Sequence, residues 1–170
     1  GALTDSDVLS IHVGGVSFQQ GVDGYTGTED TYVTSLSPNT NYGADTNVAV
    51  DDWIDIDNGA NMDAGLLRFS NIIGGGVGQV PSGSTINSAT LSIYVTNHDH
   101  FDSVQIHQML ASWDESSTYN TLGSGVTDDN TEAATAAIAT LDSGTLGWLT
   151  INVSSAVQSW ASGASNNGFV

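Results

Sequence analysis

Residues 66–95 read LLRFSNIIGGGVGQVPSGSTINSATLSIYV, and their periodicity decides the fold class. Leu67 and Phe69 fall on one side of an extended chain, Leu66 and Arg68 on the other. Further on, Leu91, Ile93 and Val95 share one side, and Ser92, Tyr94 and Thr96 share the opposite one. Period-two alternation is the mark of a strand with one buried face. Gly, Pro and Ser between the two runs favour turns. The two strands are therefore expected to be neighbours in an antiparallel sheet at the heart of the core.

Upstream, Val8, Ser10 and His12 alternate with Leu9, Ile11 and Val13. Residues 1–14 are expected to form an N-terminal edge strand or a linker, with the domain proper over 15–170. Residues 15–30 read as loop anchored by Phe18 and Tyr25. Two short strands follow, Asp30–Thr34 and Asn47–Val50, separated by the turn-rich run SPNTNYGADTN. The run DDWIDIDNGANMD (51–63) reads as a long acidic loop, or a hairpin carrying one. The glycines of 74–78 miss the G-x-G-x-x-G spacing and have no Lys, so they read as a flexible insert rather than a phosphate cradle.

Downstream, Val104–Leu110 alternates with Val104, Ile106 and Leu110 on one side and Gln105, His107 and Met109 on the other. SWDESST (112–118) breaks into loop, and 120–132 is irregular. EAATAAIATLD (132–142) is Ala-rich, which favours helix, but its Thr spacing and flanking turns favour a strand, and a strand is expected. Trp148–Val153 alternates cleanly. Ser154 is placed to cap a short helix whose apolar face is Val157, Trp160 and Ala161. Phe169 and Val170 open a last strand. The sum is an all-β, antiparallel two-sheet β-sandwich of jelly-roll type with one short helix near the C-terminal end.

One Lys or Arg stands against 19 Asp and Glu, giving a formal net charge of -18. That excludes nucleic acid as a partner, which needs basic patches. It favours divalent cations and salty surroundings, where screening weakens self-repulsion. The expected location is secreted or cell-surface. With 170 residues and 39% hydrophobic content, a single packed domain is expected, and no Cys is present to staple it. No apolar run approaches the ~20 residues of a membrane span, so membrane insertion is not expected. No charged and apolar leader pattern opens the chain, so a signal peptide is expected to have been removed or to lie upstream.

FQQGVDGYTGTEDTYV, SPNTNYG, LLRFS, PSGSTINSATLSIYV, SWDESST and GWLTINVSSAVQSWASGASNNGFV follow one another over residues 18–170. Their order resembles that of DNRLRE-type domains, a group similar to jelly-roll carbohydrate-binding modules and disaggregatase-related domains. The resemblance implies a non-catalytic β-sandwich, often with bound calcium, appended to secreted enzymes or surface proteins, some members binding polysaccharide. Its partners would be a polysaccharide and covalently linked neighbouring domains, the module itself monomeric. The alternative is a structural or adhesion spacer without glycan affinity. Members that bind acidic polysaccharides offer basic residues, whereas here only Arg68 is available; a neutral or weakly charged polymer fits better, and an anionic one would need bridging calcium.

Calcium takes six to eight oxygens at flexible geometry, which Asp- and Asn-rich loops supply. Asp51, Asp55, Asp57, Asn61 and Asp63 crowd one loop, and Asp30, Asp99 and Asp102 are further candidates. The bland reading is a solvated acidic loop. Sugar rings present apolar C–H faces to aromatic rings and hydroxyls to amides and acids. Trp53 is the best candidate for exposure, followed by Tyr25, Tyr42 and Phe101, while Trp113, Trp148 and Trp160 are expected in the core. Arg68 is either a ligand donor or, more in keeping with its many acidic neighbours, a paired structural residue. His98 and His100 bracket Asp99 as a metal pair or sugar contact would, though a plain turn explains them, and His107 is placed to line a binding face. Catalysis has little support: no G-x-S-x-G elbow is present, and with so many acids carboxylate pairs arise by chance.

Overall fold

The computed structural model describes residues 9–50, 54–55, 59–60, 62–96, 103–142 and 146–170. Among these residues ten strands and one helix follow in order. They are β1 (Leu9–Val13), β2 (Val16–Gln19), β3 (Thr28–Thr34), β4 (Ile54–Asp55), β5 (Gly59–Ala60), β6 (Asp63–Phe69), β7 (Ala89–Val95), β8 (Ser103–Met109), β9 (Ala133–Asp142), β10 (Gly147–Asn152) and α1 (Ser154–Ala161). All strand pairings are antiparallel. The fold is an all-β sandwich, as the alternation predicts.

The first layer is a four-stranded sheet in the order β10-β7-β1-β2. Its inner face carries Ile11, Val13, Phe18, Leu91 and Ile151, all buried. The second layer is built from two hairpin-like pairs, β3-β6 and β8-β9. The segment Gly168–Val170 runs between them. Leu67 and Phe169 exchange backbone hydrogen bonds of 2.9 and 2.8 Å, and His107 and Val170 exchange bonds of 2.8 and 3.0 Å. The Met109 amide donates to the Gly168 carbonyl at 2.9 Å. The result is one sheet in the order β3, β6, closing segment, β8, β9.

Apolar side chains fill both sides of this second sheet. Phe69, Ile106 and Phe169 join the first sheet's inner face and the α1 residues Ala156, Val157 and Trp160 in one cluster. Leu66, Val33, Met109 and Ala133 point the other way and meet Trp113 and Leu122 from the 110–132 loop in a second cluster. So β6 alternates as expected, but both of its faces are covered.

Several expectations need correction. β6 and β7 are not neighbours; they lie in different sheets. A hairpin needs a short connection, and residues 70–88 instead fold back on themselves, with Val80 donating to Ile72 and Gly74 donating to Val80, each at 2.9 Å. β1 is flanked by β7 and β2, so it is interior rather than an edge. Within 15–30, expected as loop, Val16–Gln19 pairs with β1 as β2. Residues 47–50 form no ladder; Val48 and Val50 pack side-on where Gly65 leaves β6 without a side chain. In β8 two register shifts break the alternation, leaving Ile106, His107 and Met109 buried and Leu110 exposed. Ser154 makes no helix cap: its hydroxyl accepts from the Ala89 amide at 2.9 Å, while Asn152 Oδ1 accepts from the Ser154 amide at 3.0 Å. β9 and the short β4–β5 pair match the strand and hairpin readings. No helix among the described residues is long and apolar enough to cross a membrane.

Gly168 has φ +74°, and a Cβ there would collide with the Leu67 carbonyl oxygen. Gly168→Ala is therefore expected to cost roughly 2 kcal/mol or more. Phe169→Ala, which empties a site 1% exposed, should cost about 3–5 kcal/mol. Urea unfolding checks both, with Val77→Ala, at a fully exposed loop position, expected to leave the midpoint unchanged.

Candidate functional site

Two regions present aromatic rings together with sugar-compatible polar groups. The first lies at the end of the β3-β6 pair. The turn-rich run after β3 folds back so that Tyr42 stacks on Tyr32, with ring centroids 4.2 Å apart and planes at 21°. The Tyr32 hydroxyl donates to Asp45 Oδ2 at 3.3 Å. Tyr32, Ala44, Asp45, Thr46, Asn47 and Ala49 line an open hollow of about 490 Å³. Burial first, then the Asp45 carboxylate that accepts its hydrogen bond, then Tyr42 and Asp63, push the Tyr32 phenol up to about 12. Asp63 is thus near enough to act on the same phenol. Its Oδ1 is buried without a hydrogen-bond partner.

The second region is the outward face of the four-stranded sheet. Trp148 stands opposite Tyr94 in the β10-β7 ladder. Their rings meet edge to face, 5.3 Å apart at 73°. Trp148 is 54% exposed and Tyr94 44%. This corrects the expectation that Trp148 is core. Alternation along β10 buries Ile151 and turns Trp148 outward, as the period-two rule requires. Trp113 and Trp160 are buried as expected; the Trp113 indole N–H donates to the Asn167 carbonyl at 2.7 Å.

The remaining predicted site residues fall in different places. Arg68 pairs with Glu29, which faces it across the β3-β6 ladder, and its guanidinium lies 4.9 Å from the centroid of Trp113. Glu29 also accepts from the Ser70 hydroxyl. Arg68 is therefore held within the protein, the structural reading of the two. Tyr25 donates its hydroxyl to the Ser70 carbonyl at 2.9 Å and packs edge-on against Phe18. Burial, and secondarily Glu29, raises its phenol well above the ordinary range. His107 is buried; its Nδ1 donates to the Ala134 carbonyl at 2.7 Å and its Nε2 is 3.1 Å from the Gln105 side-chain amide oxygen. Gln105 and His107 border a smaller hollow of about 250 Å³ together with Met62, Thr127 and Asp128. Asp30 is 1% exposed and stands opposite Leu67 in the ladder.

Asp55 is placed only as a backbone position of β4. Trp53, Asp51, Asp57, Asn61, His98, Asp99, His100, Phe101 and Asp102 lie outside the described residues. Among the described residues no three acidic or imidazole side chains gather as a metal cluster. Asp114, next to Glu115, is occupied locally: hydrogen bonds from the Ser116 hydroxyl and amide hold its carboxyl below the usual range.

Sequence reasoning missed Tyr32, Asp45 and Asn47 as one constellation, because Tyr32 sits within a strand and the turn that returns Asp45 to it has no periodicity. It also missed Tyr94 with Trp148. Their outward phase was legible, but their pairing depends on register.

Ionisation of Tyr32 is expected at about 12 rather than the ordinary 10.0. Its folded-state value is raised, so the stabilisation is whole below pH 10, and it is lost as pH climbs through 12. Ultraviolet titration of tyrosinate should show one late-titrating tyrosine disappear in Tyr32→Phe and move down in Asp45→Asn, since the latter removes the neighbouring charge.

No curated protein and no solved structure shows significant similarity to the chain. The family model for carbohydrate-binding module family 96 matches residues 22–170. The match carries the carbohydrate-binding-module part of the resemblance but not the DNRLRE label. Covering every described element from β3 onward, it places this chain in carbohydrate-binding module family 96.

Proposed function

We propose that the protein is a non-catalytic carbohydrate-binding module, calcium-stabilised, that attaches a secreted enzyme or surface protein to a polysaccharide. Membership of a carbohydrate-binding family supports the binding role. The observation that carries the placement is the Tyr32–Tyr42 stack beside Asp45 and Asn47 at an open hollow. A ring face, a carboxylate and an amide are what a sugar's C–H face and hydroxyls require. No charge-relay geometry is needed for such a grip. An extracellular setting agrees with a net charge of -18, which salt and divalent cations screen.

The residues beside the hollow suit calcium. Asp63 offers a buried carboxylate oxygen with no hydrogen bond of its own, and Asp45 acts on the same phenol. Calcium favours oxygen donors of this kind. The metal's part would be to hold the loop end together and offset its charge.

Two measurements test this. In affinity electrophoresis the protein should be retarded by at least one polysaccharide, and Tyr42→Ala and Asp45→Ala should weaken the retardation. Absence of retardation by every polymer tried would leave the spacer alternative. Adding calcium should raise the melting temperature and lower the Tyr32 ionisation, because a nearby cation offsets the carboxylates. Asp63→Asn should abolish both shifts. An unchanged melt and titration in calcium would remove the metal from the proposal.

A further inference from the structure

The outer face of the four-stranded sheet differs in charge from the rest of the molecule. Side chains of directly opposed residues share a face, so the register identifies that face without ambiguity. Trp148 opposes Tyr94, Thr150 opposes Ser92, and Asn152 opposes Thr90. The same rows continue on β1 and β2: Ser92 opposes Ser10, Thr90 opposes His12, and His12 opposes Ser17. Across all four strands these positions hold hydroxyls, an amide, an imidazole and two aromatic rings. Not one is Asp, Glu, Lys or Arg, in a chain with 19 acidic residues.

The layout is a platform. Trp148 to Asn152 spans about 13 Å along the strand, and the open part lies over β10 and β7, because Ser10 on β1 is only 7% exposed. The aromatic pair stands at one end. Its rings meet at 73°, so they form a corner with one ring face set nearly upright against the other, rather than a flat tile. Ser92, Thr150, Thr90 and Asn152 continue from that corner in a strip of short hydrogen-bonding groups. Trp148 and Tyr94 stand exposed together among short polar neighbours.

The charge pattern selects among partners. A polyanion would meet a surface without cations on a body that repels it at long range. A basic protein partner would seek the acidic remainder of the surface rather than this strip. An uncharged polysaccharide loses nothing to repulsion, stacks its C–H faces on the aromatic corner, and finds hydroxyl and amide partners along the strip. We infer that the outer face of β10 and β7 is a second carbohydrate-contact surface, specific for uncharged polysaccharide and centred on Trp148 and Tyr94. It rests on the carbohydrate-binding reading but places contact on the sheet that does not carry the Tyr32–Tyr42 hollow.

The test uses soluble galactomannan, xylan and hydroxyethylcellulose as neutral probes, with alginate as the anionic comparator. Intrinsic fluorescence and affinity electrophoresis follow binding. Trp148→Ala and Tyr94→Ala should each weaken binding of a neutral probe on the order of tenfold, a loss of about 1.4 kcal/mol. Both sites are exposed, so the melting temperatures should hold. Trp148→Phe should retain most of the affinity but lose the fluorescence response. Ser92→Asp should weaken binding without removing either ring. Neutral binding that is unchanged in Trp148→Ala but lost in Tyr42→Ala would overturn this surface and leave the proposed function standing. Binding to none of the polymers would overturn both. Concentration-dependent self-association that Trp148→Ala disperses would overturn it too, making the face an interface between copies.

Discussion

The second layer of the sandwich depends on three residues. Without Gly168–Val170, β3-β6 and β8-β9 are two separate pairs, each with an open edge. With it, Leu67 and His107 both gain reciprocal backbone partners, and Phe169 reaches the inter-layer cluster where it meets Trp160 at 5.3 Å. A buried edge without partners is costly, because backbone amides must be satisfied. The closing segment supplies those partners and an apolar wedge together. Asn166 and Asn167 fix its approach: Asn166 Nδ2 donates to the Phe69 carbonyl at 2.8 Å and Asn167 Nδ2 to the Leu110 carbonyl at 2.6 Å. The sequence-distant ends of the fold are thereby locked at one seam.

This seam also organises the polar interior beside it. Arg68 follows Leu67 on β6 and turns to the opposite side, over Trp113 and against Glu29. Trp113 in turn holds the Asn167 carbonyl. The one cation in the chain is thus spent on joining β3, β6, the 110–132 loop and the closing segment. No other Lys or Arg is present to meet a ligand. Aromatic rings, hydroxyls, amides, imidazoles and carboxylates remain, the groups that the proposed carbohydrate grip would use. Repulsion among the acids is tolerated at the surface because solvent and salt screen it.

Much of the fold was legible. Alternation identified β6, β7 and β10, Thr spacing and flanking turns favoured β9 as a strand, and the spacing of Val157, Trp160 and Ala161 identified α1. What alternation does not encode is partnership. β6 and β7 look like neighbours because they follow one another, yet the 70–88 connection is long enough to change layers. Leu110 looked inward until the β8 bulges were known, since a bulge shifts the phase and leaves no trace in a hydrophobic pattern. The closing segment was visible only as the start of a strand; its place between two others arises from long-range backbone pairing. Arg68 was read correctly as paired, because a lone guanidinium among many carboxylates will find one. Trp148 was misplaced because its apolar neighbours outweighed its phase on β10. Of the two aromatic constellations, Tyr42 is a candidate on its loop position alone, whereas its neighbours Tyr32 and Asp45 needed the turn geometry.

Native-state hydrogen exchange measures the seam directly. If the closing segment is integral to the sheet, the Leu67, His107 and Phe169 amides should exchange only through global unfolding. Their opening free energies would then equal those of Leu91 and Ile93 in the opposite layer, and all would fall together with urea. Exchange of the Phe169 and Leu67 amides orders of magnitude faster than the β7 amides, with no urea dependence, would show a fraying strap and contradict the account.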